Sequence, residues 1–166
     1  MYRKLYRFLL RTKIKNLFAI GILLPVLFSS MLVFMHHLFP NILVFPEGED
    51  IMERIKQKPA LIIGPLLIGP YIETLLQYVP VKISNHFFQK KFKYANLLAI
   101  IISAIIFGYL HEGFAFMIFV PLSFAGFVWA LLCLVFMKRN YYPYLTIVVI
   151  HAGYNALLLA LDYLSY

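Results

Sequence analysis

Apolar residues run through this chain in long blocks, and polar residues gather in the gaps between them. The blocks cover residues 17–39, 60–81, 95–110, 114–137 and 144–161. A helix needs about 20 mostly apolar residues to cross a bilayer. In lipid every backbone N–H and C=O must be satisfied within the segment, so blocks of this kind are helices. The pattern predicts an all-α fold, a polytopic membrane bundle of about five transmembrane helices. The third block is the shortest, and its ends are the least defined. Residues 1–59 read as a basic leader, a first membrane anchor and an outer loop, and residues 60–166 as the core. Apart from the local echo "IGPLLIGP" there is no internal repeat.

Composition agrees with the pattern. Of the 166 residues 63% are hydrophobic and only 13% are charged, so a soluble domain of this length could not cover its apolar surface. The net charge of +8 raises the question of nucleic acid, and its distribution answers it. The first sixteen residues hold six Lys/Arg and no acid, and the gaps after the second and fourth blocks hold six more. Twelve of the fifteen basic residues therefore fall on one side of the bundle. The positive-inside rule makes that side cytoplasmic. The expectation is a multi-pass plasma-membrane protein with its N-terminus inside, partnered by the lipid bilayer and by no nucleic acid. The first apolar block is too long for a cleaved signal and no A-x-A site follows it, so it reads as an anchor. The leader before it is expected to lie on anionic headgroups. Cys133 is the lone cysteine, which rules out an intrachain disulfide and a Cys-based zinc site. It reads as a small apolar filler.

Ionisable residues inside a span are costly and point to function. Glu73 is the one acid well inside a block. His111 ends the third block and Glu112 follows it. His151 lies deep in the fifth, and Asn155 is one turn further on the same face. Ser103, Phe107 and His111 form a similar face in the third block. In the second, Pro65 and Pro70 each remove a backbone donor and favour kinks. Gly64 and Gly69 read as points of close helix approach. Glu73 comes just after the second Gly-Pro, where a deformed helix could open a polar pocket. Taken singly, each residue has a structural explanation. His36 and His37 suit the membrane interface, His86 suits a loop, and Glu112 suits the watery rim. Asn155 suits interhelical hydrogen bonding, and Glu73 suits a protonated carboxyl. Together, one Glu, two His and one Asn from three helices exceed what packing needs.

These four groups suit amide hydrolysis. A carboxylate can take a proton from water, with imidazole sharing that role. An Asn N–H is a usual oxyanion donor. Glu73, His111 and His151 could equally hold one divalent metal such as zinc with an open position for water. No H-E-x-x-H motif favours the metal, and both routes stay open.

The motifs "FGYLH" (Phe107, His111) and "HAGYN" (His151, Asn155), in that order on separate apolar helices, resemble the CAAX-processing and bacteriocin-self-immunity (CPBP) family of intramembrane proteases. The resemblance spans roughly residues 61–161. It implies an intramembrane endopeptidase in which Glu73 and His111 activate water while His151 and Asn155 bind the oxyanion or orient the water. It implies peptide or lipidated protein substrates within the membrane, such as prenylated tails or bacteriocin precursors. The family's first motif, Pro-x-x-Glu-Glu-x-x-x-Arg, reads "PYIETLLQY" here. Aligned on Pro70, Glu73 takes the catalytic place, Thr74 replaces the second Glu and Tyr78 the Arg. In the other register Gln77 replaces the Arg. Thr74, Gln77, Tyr78 and Phe107 are thus the supporting residues, and a Thr–Gln or Thr–Tyr hydrogen bond is expected in place of the Glu–Arg pair. Two rivals follow from the altered motif. One is a non-catalytic membrane immunity or scaffold protein that binds a peptide or a membrane protein in the same cavity. The other is a small transporter or proton relay, against which the lack of a repeated half counts.

Overall fold

The computed structural model describes residues 2–38, 58–90, 92, 94–112 and 116–165. It is all-helical, with no strand among those residues. A short helix α1 (Tyr2–Arg11) leads into α2 (Ile14–Leu38). After residues 39–57, which lie outside the described ones, a helical run enters through a 3₁₀ turn (Pro59–Ile62) and a π turn (Gly64–Ile68). It continues as α3 (Gly69–Ile83) and closes in a second π turn (Ser84–Phe88). Then come α4 (Ala95–Glu112), α5 (Phe116–Lys138) and α6 (Pro143–Ser165). Four apolar stretches are long enough to cross a membrane: Ile14–Met35, Ala60–Phe88, Ile118–Lys138 and Pro143–Leu161. Ala95–His111 is a shorter apolar helix beside them. This is a membrane protein built as an all-α bundle.

The hydrophobic gradient sets the arrangement. The apolar stretch of α5 is 56% buried, against 17–28% for the other three, so α5 is the central post and the rest form a sleeve. It packs against every other helix of the bundle. Its neighbours turn Leu27, Phe34, Leu67, Leu98 and Val149 outward, as a lipid-facing surface requires. The tightest approach is between α4 and α5. A Cβ on Gly108 would come within 2.8 Å of the Phe119 carbonyl, and one on Gly126 within 3.2 Å of the Ala104 backbone. Small residues allow this closeness in lipid, where dispersion and not the hydrophobic effect holds helices together. Gly64, by contrast, meets nothing within 4 Å, and Gly69 faces the Glu73 carboxylate. The two glycines of the Gly-Pro repeat are therefore not helix-approach sites. Gly69 instead makes room for a side chain one turn away.

The second span also runs past residue 81, the end of its apolar block. Pro80 lacks only its own N–H. Its carbonyl still accepts from Ser84, and Ser84 Oγ donates to Asn96 Oδ1 of α4 at 3.1 Å. No breaker intervenes before Gln89, so the helix continues to Phe88.

That Ser84–Asn96 bond explains how His111, near the end of α4, reaches the level of Glu73. Ser84 to Glu73 is eleven residues, or about 16 Å of helix, and Asn96 to His111 is fifteen, or about 22 Å. Helical side chains lean toward the N-terminus. His111 Nδ1 accordingly meets the Phe107 carbonyl at 2.8 Å, eleven residues from Asn96. The imidazole thus hangs below its own Cα, while Glu73, on the antiparallel neighbour, leans the opposite way toward Gly69, and the two side chains together close the remaining gap of about 6 Å.

Candidate functional site

The three ionisable groups singled out inside the spans meet. Glu73 Oε2 lies 3.3 Å from His111 Nε2 and 3.4 Å from His151 Nε2. One carboxylate oxygen therefore bridges imidazoles from α4 and α6. Asn155 lines the same cavity one turn above His151, with its amide turned elsewhere: Nδ2 donates to the Pro65 carbonyl at 2.7 Å.

That hydrogen bond follows from the spacing of the prolines. In the π turn Gly69 N–H donates five residues back, to Gly64 O. In the same register the donor for Pro65 O would be Pro70, which has no N–H. The repeat "GPLLIGP" thus strands one carbonyl inside a membrane, where an unpartnered polar group is costly. Asn155 supplies the missing donor. Its second amide hydrogen and its Oδ1 are not engaged in that bond.

The hydrogen bonds also fix most of the protons. A carbonyl can only accept, so His111 Nδ1 carries a hydrogen for Phe107 O. His151 Nδ1 is buried and has no partner among the described residues, so the N–H of a neutral ring belongs at Nε2, facing Glu73. Between Glu73 Oε2 and His111 Nε2 there is then room for one labile proton, on either the carboxyl or the imidazole. A bare carboxylate against a bare ring nitrogen would place two lone pairs in contact.

These groups open on a cavity of about 520 Å³, lined on its apolar side by Leu122, Tyr154 and Leu158. The volume is in the range of sites that enclose small ligands or peptide side chains. The Phe107 ring packs 4.6 Å from that of His111 and 5.5 Å from that of His151. Trp129 lies 4.1 Å from His151 and 5.4 Å from Phe107, and its Nε1 donates to Gly21 O at 2.8 Å. His151 packs in a cluster with these two rings, 2% exposed, with one nitrogen toward Glu73. Sequence reasoning passed over Trp129 and the Pro65 carbonyl. The signals were there: Trp129 is the single Trp of the chain, in its most buried span, and the prolines are spaced five apart.

The expected support for Glu73 is built differently. Thr74 and Gln77 are each 1% exposed, yet Thr74 Oγ1 and both Gln77 amide atoms have no hydrogen-bond partner among the described residues. The Thr–Gln or Thr–Tyr bond is therefore absent. The Tyr78 ring is engaged by Tyr144 at 5.5 Å and by the Lys82 ammonium at 5.3 Å instead. Ser103 reaches this level too, with Oγ 3.5 Å from the Gln77 carbonyl. His86 is exposed beside Phe87, and Cys133 is buried in α5 as a small filler. The side chains of His36, His37 and Glu112 lie outside the described residues.

Among the described residues no three His, Cys, Asp or Glu side chains are disposed to hold a metal ion. As placed, the two imidazole nitrogens lie at hydrogen-bond range from the Glu73 carboxylate oxygen. Compared with family models, curated proteins and solved structures, the chain matches none.

Proposed function

We propose that this protein hydrolyses a peptide bond in a membrane-associated substrate, in the manner of the CPBP proteases that its motifs resemble. The observation that carries the reading is the single Glu73 oxygen held within 3.4 Å of two imidazoles at the wall of an intramembrane cavity. A water bound there loses a proton to Glu73, and its oxygen forms a bond to the substrate carbonyl carbon. His151 Nε2–H turns from Glu73 to the developing oxyanion. The C–N bond then breaks as the proton, passed through His111 Nε2, moves to the leaving nitrogen. Phe107 O keeps His111 in the tautomer this relay needs. The bond between Asn155 and Pro65 holds the cavity wall in place. The substrate is a peptide or lipidated tail able to enter from the lipid phase. The basic residues on one side support a plasma-membrane location with the N-terminus in the cytoplasm.

A second reading has its own support. The unpartnered Thr74 and Gln77 and the engaged Asn155 amide suit a cavity that binds a peptide without cutting it. Purified protein incubated with hydrophobic and prenylated peptides in H₂¹⁸O separates the two. Hydrolysis puts one ¹⁸O into a new carboxyl terminus, and Glu73→Gln removes it. Peptide retained uncut by both proteins establishes the binding reading.

A further inference from the structure

At the far end of the bundle from the outer loop, α1 and α2 meet in an elbow with a second kind of chemistry. A cavity of about 560 Å³ there is lined by Phe8, Arg11, Thr12, Lys13, Lys15 and Asn16. Three of these six side chains are cationic, and the first acid in the chain is Glu47, beyond the far end of α2. The depth is set by the neighbouring elements. The apolar stretch of α2 begins at Ile14, so Lys13 and Arg11 sit where hydrocarbon gives way to headgroups. On α1, Leu9 is buried against the bundle, while Leu5 and Phe8 are 43% and 62% exposed. Exposed apolar side chains beside cations are the mark of a helix lying in the interface.

The elbow is also preformed. Arg139, in the turn between α5 and α6, donates from one guanidinium nitrogen to the Leu9, Leu10 and Thr12 carbonyls. Leu10 O is one of the carbonyls that the end of α1 leaves without a helical donor, Leu9 O also accepts from Thr12 N–H, and Thr12 lies just past the helix. Arg139 thus ties the elbow backbone to the bundle, while Arg11, Lys13 and Lys15 are exposed.

We propose that this elbow is a binding site for the phosphate-bearing headgroup of an anionic phospholipid, whose acyl chains run alongside Phe8 and α2. Charge complementarity and depth both select a lipid. A soluble partner would have to reach cations set at the level of the bilayer surface. The site is independent of the proposed hydrolysis.

The test uses the full-length protein reconstituted in nanodiscs of phosphatidylcholine with a minor fraction of phosphatidylglycerol, and counts retained lipids by native mass spectrometry. Wild type should retain phosphatidylglycerol over phosphatidylcholine by tenfold or more. The triple change Arg11→Gln, Lys13→Gln, Lys15→Gln should remove that preference, since each basic residue near an anionic surface is worth about fivefold. The triple change Lys58→Gln, Lys82→Gln, Lys90→Gln should leave it intact. High salt should release the lipid from wild type, which provides a readout even if the first triple variant folds poorly. No preference in wild type, or equal losses in both triple variants, would overturn the proposal. Displacement of the lipid by millimolar inorganic phosphate would overturn it too, by marking a site for small anions.

Discussion

Two of the carbonyls that proline leaves without a backbone donor in this bundle are met by a side-chain N–H from another helix. Gly21 O lies four residues before Pro25 in α2 and receives Trp129 Nε1 at 2.8 Å. Pro65 O lies five before Pro70 and receives Asn155 Nδ2 at 2.7 Å. The backbone problem is the same, and the surroundings are not. Trp129 is fully buried in the core, so the first bond is sealed. Pro65 and Asn155 both line the cavity, so the second can exchange with water. A sealed bond of this kind secures a packing arrangement. An exchangeable one on a cavity wall can yield to a substrate. His151 stands between the two, one side of its ring on Trp129 and Nε2 on Glu73.

The largest effects should fall on the cavity side of His151. Glu73→Gln and His151→Ala should each lower hydrolysis by about 10²- to 10⁴-fold. The double change should add little, since groups that act as one unit are non-additive. The check is the rate of peptide cleavage per folded protein in all three variants. Losses that simply multiply would mean the residues act separately, and the bridging carboxylate would lose its catalytic meaning. A chelator separates the two routes to an activated water: an unchanged wild-type rate marks a carboxylate working without a metal, and a loss restored by zinc marks a metal held by Glu73, His111 and His151.

The sealed side should respond in stability instead. Trp129→Phe keeps a ring against His151 and removes the donor to Gly21 O. Leaving that buried carbonyl unpaired should cost about 1–3 kcal/mol. Pro25→Ala on the same background restores a backbone N–H four residues after Gly21 and should recover much of the loss. Thermal unfolding in detergent measures both, and cleavage per folded molecule should stay near wild type. Failure of Pro25→Ala to rescue would show that Trp129 acts through packing alone.

These comparisons also show what the sequence could carry. The spans were legible because lipid leaves a helix no alternative partner for its backbone, and each observed helix falls within a few residues of its apolar block, α3 excepted. Glu73, His111, His151 and Asn155 were legible because charge and amide groups are conspicuous against apolar residues. Their bridging geometry was not, because it depends on the lean of the His111 side chain and on the pitch of the π turn. The Trp–Gly21 and Asn–Pro65 bonds were hidden for another reason. They are complements to a missing N–H, and a missing atom leaves a mark only when the proline register is known. The Thr74–Gln77 pairing failed because sharing a helix face does not bring a short hydroxyl to a neighbouring amide.

Gln77 supplies a smaller effect of opposite sign. Its amide is buried and unpartnered, so replacing it with an isosteric apolar side chain removes a desolvation cost. Gln77→Met should raise stability by about 1 kcal/mol, the low end of that penalty. A lower melting temperature would mean that the amide is paired in the membrane, for example by an internal water.

The smallest expected change separates the two roles open to Asn155. Asn155→Ala frees the Pro65 carbonyl at a wall that water can reach, so the stability cost should be only about 0.5–1.5 kcal/mol, less than at Trp129. Cleavage should fall as well, since the wall loosens. The informative step is Pro70→Ala on that background. It returns an N–H at the position from which the π register reaches Pro65 O, and the stranded carbonyl regains a backbone donor. If Asn155 serves chiefly as a latch on that carbonyl, Pro70→Ala should restore both stability and most of the cleavage rate. If Asn155 is instead an oxyanion donor, stability returns while cleavage stays down by about 10²- to 10³-fold, because no backbone N–H on α3 replaces an amide aimed at the substrate. From the observed bond to Pro65 we expect the first outcome, with stability and rate recovering together.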